Sequence, residues 1–449
     1  MTSKISKNHF LILILILILS VVIRLFLLHP TFSDESFYFN VGKQIINGKF
    51  PYKDFFFAHP PLQIYVLAFL FKIFGTSFLV GKLLSLTTST LSVLLIYLIL
   101  KELYDKKSGF LATLIFLVTP AFLSFSTIGY GMWEAVLFVL LSIYLIIKNK
   151  LNFAGLSFLI AILFRYIALL YLPFLIVLLY LRKQKLKTFS VWFLSTTFFS
   201  ILLIISIFGS QYIEQTISYQ IFSKISMEAS GVQMQYWSIG YFFIFLALIS
   251  IVTAYVSKDK ILLLFSSYPL IIDIIILLGL KLFFYHYFLI SLALFIIALG
   301  RTLIISKERI VQIIIPIILL ISIIYNLETI DFYLNPVYAE KYYYMANLIE
   351  NKTIINDSIF GEPIATNYVS FVTNRKISSN YLDSYLGHLI FEDDKKVIKN
   401  LEKDKPQFFI EMDNYYMLNS YFKDFIVGDY VLEEEIEGIP HYSIYRLKT

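Results

Sequence analysis

Residues 10–40 read FLILILILILSVVIRLFLLHPTFSDESFYFN, a long apolar run that ends on two adjacent carboxylates, Asp34 and Glu35. The run from Phe10 to Leu28 is long enough to cross a bilayer. It is too long for the apolar region of a cleavable signal, and no small-x-small cleavage site follows it. The first segment is therefore expected to remain as an anchor, and the acidic pair sits where it leaves the membrane.

The rest of the chain agrees with that class. The 449 residues are 58% hydrophobic, 18% aromatic and only 15% charged, whereas soluble domains carry about 25% charged residues. The expected fold is a polytopic α-helical membrane protein. Cysteine is absent, which excludes disulfides, thiolate catalysis and thiolate-bound metals. The six histidines form no HExxH motif and no close pair, so no ready-made zinc site is expected.

The net charge of +6 conceals two solvents. Before residue 327 there are 25 Lys and Arg against 11 Asp and Glu; from there on the numbers are 12 and 20. Residues 1–326 are read as the membrane domain, with a long first external loop at 29–77. Residues 327–449 lack a long apolar run and are read as a small polar domain.

Apolar runs fall near 10–28, 78–100, 110–127, 131–147, 189–208, 238–256, 261–280, 284–300 and 310–325, with a double-length run at 152–181. Lys and Arg crowd the N-terminus and the connections 101–109, 148–150, 182–187, 258–260 and 301–309, which places all of these in the cytoplasm. Two assignments follow. The segment 60–74 opens on Pro60-Pro61 and is re-entrant or interfacial rather than a crossing. The 152–181 run crosses twice and turns at Arg165. About eleven spans result, with the N-terminus cytoplasmic and the C-terminal domain extracytoplasmic. Asp34, Glu35, Asp54, His59, Glu134, Arg165, Lys281, Tyr285 and His286 then all fall on the outer side.

Each of these has an ordinary reading beside a chemical one. Adjacent residues on a helix point about 100° apart, so Asp34 and Glu35 cannot address one atom; one would act and the other support it. Alternatively, Ser33 caps the helix and the acids decorate its first turn. Asp54 and His59 flank a rigid Pro-Pro wall, or Asp54 is a solvated loop residue. Arg165 is the only charge between 151 and 181. A guanidinium there can grip a phosphate in two-pronged fashion or reach out to lipid headgroups. Glu134 could orient Arg165 or bind a sugar hydroxyl. Lys281, Tyr285 and His286 are phosphate or sugar ligands, or members of an interfacial aromatic belt. Asp34, Glu35 and Asp54 could together hold a divalent metal; no other cofactor is expected. Asp273 lies inside a span with no partner evident from the sequence.

The stretches SDESFY, GKFPYKDFFFAHPPLQIYVLAFLFKIFG and AGLSFLIAILFRYIALLYLPF resemble the GT-C membrane glycosyltransferases, specifically the dolichyl-phosphate-mannose protein mannosyltransferase group (glycosyltransferase family 39) and its bacterial aminoarabinose-transferase relatives. The likeness covers roughly residues 10–300. It implies a polyprenyl-phosphate sugar donor and inverting transfer at the outer face to a protein, lipid or glycan acceptor. By resemblance, Asp34 matches the acidic position treated as catalytic, and Arg165 matches a basic position, often Lys, that meets the lipid phosphate. His59 stands where many relatives carry Lys. The WWDYG signature of oligosaccharyltransferases is missing, which argues against whole-glycan transfer. The chemistry fits independently. A lipid phosphate is a good leaving group, so such an enzyme needs one base and a cation, not the carboxylate pair of a glycosidase.

A transporter or lipid flippase is the main alternative, and a non-catalytic scaffold a lesser one. Transporters gather polar groups near the midplane in repeated halves, whereas here they gather at one face. Membrane lipids are expected partners and nucleic acid is not. In the C-terminal domain, helices are expected at 337–350 and 393–403, strands at 353–360, 368–373 and 406–412, and a terminal hairpin at 429–436 and 441–447. Asn351 and Asn356 begin glycosylation sequons.

Overall fold

Between Leu11 and Leu25 no residue favours a turn, and in the computed structural model the chain forms one continuous helix there, α1 (Thr2–Leu25). The structure describes residues 2–26, 28–31, 33–223, 233–279, 285–306, 309–385, 389, 393–413, 415–438 and 440–448. The helices that follow α1 are α2 (Glu35–Ile46), α3 (Leu62–Phe74), α4 (Phe78–Leu103), α5 (Lys106–Leu117), α6 (Pro120–Phe125), α7 (Met132–Ile147), α8 (Leu151–Phe164), α9 (Leu172–Leu181), α10 (Leu186–Phe208), α11 (Ser210–Ile213), α12 (Gln233–Ser257), α13 (Lys260–Gly279), α14 (Leu289–Ile305), α15 (Arg309–Tyr325) and α16 (Leu327–Leu334). Among the described residues, four helical stretches are long and apolar enough to cross a membrane: Phe78–Leu103, Leu186–Phe208, Lys260–Leu277 and His286–Ile305. Shorter apolar helices accompany them. The double-length run divides as its single arginine suggested, because α8 stops at Phe164, Arg165 is extended, and a 3-10 turn (Tyr166–Tyr171) leads into α9.

The chain separates into two compact units, each discontinuous in sequence. The first comprises residues 1–28, 82–206 and 228–334. Its helices pack through small residues. A Cβ on Gly300 of α14 would lie 2.6 Å from the Ala112 Cβ and 2.6 Å from the Ser108 carbonyl of α5, so the two backbones can approach only because both lack bulk. One end of this unit gathers four of the basic connections. Lys148 pairs with Glu102 at 2.7 Å, Arg301 with Asp105 at 3.2 Å, and the Tyr104 hydroxyl donates to Asp259 at 3.2 Å while the Arg301 guanidinium stacks 4.2 Å from the Tyr104 ring. Exposed pairs of this kind contribute little to stability, but they place 101–109, 148–150, 258–260 and 301 on one face. Helix α7 runs from Glu134 to that face, and α14 runs there from the His286 turn. Glu134, Arg165 and His286 therefore lie at the opposite end.

The second unit comprises residues 29–81, 207–227 and 335–449, so the segment after α1 clusters with the C-terminal residues. Helix α17 (Val337–Lys352) precedes β1 (Ser358–Gly361); α18 (Pro363–Thr373) is followed by β2 (Lys376–Ile377), α19 (Asp394–Asp404), β3 (Phe408–Met412), α20 (Ser420–Asp429), β4 (Tyr430–Ile436) and β5 (Tyr442–Leu447). The sheet order is β2-β1-β3-β5-β4, with β1 parallel to β2 and β3, and β5 antiparallel to β3 and β4. The expected helices and the terminal hairpin are present. The expected strand at 368–373 is not: these residues are the second half of α18. Their strand-forming types yield to a strong helix start, in which the Glu362 side chain accepts from the Ala365 N–H and Pro363 occupies the first turn, and Asn374 closes the helix at φ 60°. Ile364, Ala365, Tyr368 and Val369 face the sheet with Ile359, Phe408 and Ile410, leaving Asn367 and Ser370 for a different neighbour. The strand expected at 353–360 begins only at Ser358, since α17 runs on to Lys352.

Helix α3 carries the Pro-Pro segment. At 13 residues it spans about 20 Å, short of the ~30 Å hydrocarbon layer. Leu67, Ala68 and Phe71 pack on Gly42 of α2, while Phe69, Ile73 and Phe74 are exposed. That is the build of an interfacial helix.

Candidate active site

The site in the second unit begins with the segment ahead of α2. Asp34 occupies the N-cap position with φ −64° and ψ 0°, and its side chain makes no capping hydrogen bond. The N-cap is thus Asp34 rather than the expected Ser33, while Glu35 does lie in the first turn. Asp34 Oδ1 instead accepts from the hydroxyl of Tyr385 at 2.5 Å, 351 residues away. Glu35 is fully buried and turns the other way, its Oε1 accepting from the Thr31 N–H at 3.0 Å and the Thr31 hydroxyl at 2.8 Å. The neighbouring carboxylates thus divide as helical geometry requires. Asp34 is half-buried, and Glu35 secures the chain entering the helix.

Helix α2 is fastened to α18 by a polar seam. Ser36 Oγ donates to the Ile364 carbonyl at 2.8 Å, and Asn40 Nδ2 to Asn367 Oδ1 at 3.0 Å and Ser370 Oγ at 3.2 Å. The Lys43 ammonium donates to the Ser370 and Phe371 carbonyls at the C-terminal end of α18, where a cation complements the helix dipole. Burial lowers the Lys43 pKa to about 8.

The segment that carries Tyr385 is held by the same helix. Asn367 Nδ2 donates to the Leu382 carbonyl at 2.6 Å, Ser384 Oγ to the Gly361 carbonyl at 2.7 Å, and the buried Tyr416 hydroxyl to Gly361 O at 2.8 Å and Ser384 O at 2.6 Å. Glu362 and Glu411 stand at the ends of the parallel strands β1 and β3. Burial raises both to about 7, against backbone N–H groups that oppose the shift. Asp34 and Glu411 add to it at Glu362, and Asp413 at Glu411. Burial and then the charges of Asp34, Glu362 and Asp383 push the Tyr385 phenol far above its ordinary value, so it is a hydrogen-bond donor.

The other expected residues of this unit lie elsewhere on the loop. His59 is half-buried against Tyr38 and Phe57, with ring centroids 5.5 and 5.7 Å away, and its carbonyl accepts from the Tyr52 hydroxyl at 2.7 Å. Asp54 is exposed and closes its own turn, accepting from the Phe50 N–H at 2.6 Å. Gln215 bridges the loop, accepting from the Phe57 N–H at 2.9 Å and donating to the Tyr52 carbonyl at 2.8 Å. Among the described residues no three His, Asp or Glu side chains are grouped to hold a metal ion, so Asp34, Glu35 and Asp54 do not form the divalent site that their nearness in sequence suggested.

In the first unit, Arg165 is buried at the break between α8 and the 3-10 turn. Glu134 is buried near the start of α7, within electrostatic range of Arg165, and accepts from the Thr88 hydroxyl at 3.1 Å. The His286 ring lies 4.7 Å from that of Tyr130. Tyr285 opens the 3-10 turn Tyr285–Phe288, and Lys281 lies outside the described residues. Asp273 gains partners that its sequence position did not disclose. Ser291 and Tyr171, whose hydroxyls meet at 2.7 Å, lie within electrostatic range of its carboxylate.

Sequence reasoning overlooked Tyr385, Glu362, Asn367 and Glu411. In the sequence they are ordinary residues of a small domain, and only their placement beside α2 marks them.

The profile of the family described as dolichyl-phosphate-mannose-protein mannosyltransferase matches residues 58–208, a stretch that includes His59, Glu134 and Arg165 but not Asp34. No curated protein matches the sequence. The structure aligns over 98% of both chains with ArnT from Cupriavidus metallidurans bound to undecaprenyl phosphate, at a TM-score of 0.69 and 10% identity, and with its apo form at 0.66. It also aligns with the Archaeoglobus fulgidus oligosaccharyltransferase tethered with an acceptor peptide, at a TM-score of 0.51 and 12% identity over 97% of this chain and 74% of that one. The fold is GT-C, and with the family match the chain is a glycosyltransferase of the membrane.

Proposed function

We propose that the protein transfers a sugar from a polyprenyl-phosphate donor to a hydroxyl of a protein, lipid or glycan acceptor, with inversion, at the extracytoplasmic face. Asp34 is the base. The acceptor oxygen attacks the anomeric carbon, the bond from that carbon to the phosphate oxygen breaks, and the acceptor proton passes to Asp34. Lipid phosphate leaves with its electron pair, and Arg165, oriented by Glu134, meets the charge. A leaving group already stabilised as phosphate needs no general acid, so one carboxylate suffices.

The observation that carries this reading is the division between the adjacent acids. Glu35 is committed to Thr31, whereas Asp34 is half-buried and held by a phenol rather than by its own helix. The family match supports a dolichyl-phosphate-mannose type of donor, and the ArnT structure, bound to undecaprenyl phosphate, shares the fold along the whole chain. The same match weighs against a transporter or flippase. His59, His286, Tyr285 and Lys281 are proposed as further ligands of the donor, and Asp54 as a residue that shapes the loop.

The test is transfer by the purified chain in lipid nanodiscs with a panel of radiolabelled polyprenyl-phosphate sugars. Transfer from at least one donor that is lost in Asp34→Asn supports the reading. Failure of every donor to bind or react returns the choice to a transporter.

A further inference from the structure

The hydroxyl of Tyr385 donates to Asp34 Oδ1 at 2.5 Å. Both groups are referred to one helix. Asn367 of α18 accepts from Asn40 on the Asp34 side and donates to Leu382 O on the Tyr385 side. Ser384 and Tyr416 tie the residue preceding Tyr385 to the end of β1. The geometry points to Tyr385 as a positioning residue, supplied by the C-terminal domain, that fixes the rotation of the Asp34 carboxylate and sets its basicity.

This inference rests on the reading of Asp34 as the base and deepens it. A hydrogen bond given to a carboxylate favours the charged form, so loss of the phenol should raise the pH at which Asp34 takes up its proton. The carboxyl groups described near the Asp34–Tyr385 pair are Glu35 on α2, Glu362 at the start of α18 and Asp383 on the Tyr385 segment, with Glu411 on β3 next to Glu362. The seam from α2 to α18 leaves the carboxylate no freedom except rotation about its own side-chain bonds, and the phenol removes that.

Tyr385→Phe removes one oxygen and keeps the ring. Transfer from polyprenyl-phosphate mannose should fall about 10- to 100-fold in kcat with little change in donor KM, and the acid limb of the pH–rate profile should rise by about one unit. Infrared titration supplies a readout free of turnover. The carboxyl band that disappears in Asp34→Asn should titrate about one unit higher in Tyr385→Phe. Should the phenylalanine variant fail to fold, 3-fluorotyrosine at 385, a stronger donor of the same shape, should move the limb and the band down instead. An unmoved band and limb in a folded variant overturn the role of Tyr385. Full transfer by Asp34→Asn overturns the reading beneath it, whatever Tyr385 does.

Discussion

Asn40 of α2 donates to Asn367 of α18 at 3.0 Å, across 327 residues of chain, with both side chains fully buried. Asn367 passes its own amide protons to Pro363 O and Leu382 O. One residue therefore coordinates the loop that carries Asp34 and the segment that carries Tyr385. Asn40→Ala removes the amide that donates to both Asn367 Oδ1 and Ser370 Oγ, two buried acceptors. It should lower stability by about 1–3 kcal/mol. Asn367→Ala should cost at least as much. A double-mutant cycle on thermal melts of the full chain should show strong coupling; additive losses would separate the two groups.

Asp34 and Arg165 have different tasks in the proposed reaction. Asp34→Asn should reduce transfer by about 10²–10⁴-fold while retaining donor binding. Arg165→Ala should lose affinity for undecaprenyl phosphate, since it removes the buried cation. Binding titrations run beside turnover distinguish the two, and equal loss of binding in both variants contradicts the assignment.

The pH dependence of the second unit follows from Glu362 and Glu411, both raised from 4.5 to about 7, chiefly by burial. The folded state keeps protons that the unfolded chain has released, so the stability they contribute is whole below the unfolded value and is lost as the pH rises through about 7. Melting temperature should climb on acidification from about pH 8 to about pH 5. Glu362→Gln preserves the acceptor for the Ala365 N–H and should flatten part of that slope; an unchanged slope excludes Glu362 as its source.

Two glycines of the same domain should respond in opposite directions. Gly361 has φ 143°, and a Cβ there would lie 2.0 Å from the Ile410 carbonyl oxygen. Gly361→Ala must separate β1 from β3 and should cost about 2–4 kcal/mol. Gly428 in α20 has nothing within 4 Å of its missing Cβ. Gly428→Ala should be neutral or gain about 0.5–1 kcal/mol. Thermal melts of both variants check the pair.

The membrane character of the chain, its break at Arg165 and the shared end of four of the six basic connections were legible in the sequence, because apolar runs and charge are local quantities. Asp34 was singled out by the acidic pair after the first helix and by resemblance. The stretch 368–373 misled because β-branched and aromatic residues suit either a strand or the buried face of a helix, and here the Glu362-Pro363 start decided.

What the amino-acid order determined by itself is the solvent of each segment, since transfer of a side chain between water and lipid depends on that side chain. What only the tertiary structure decided is which distant groups meet. Asp34 is turned away from its own helix by Tyr385, and two carboxyls, Glu362 and Glu411, are raised by burial at the ends of adjacent strands. The first is a hydrogen bond across 351 residues and the second is desolvation inside a folded domain, and no local pattern encodes either.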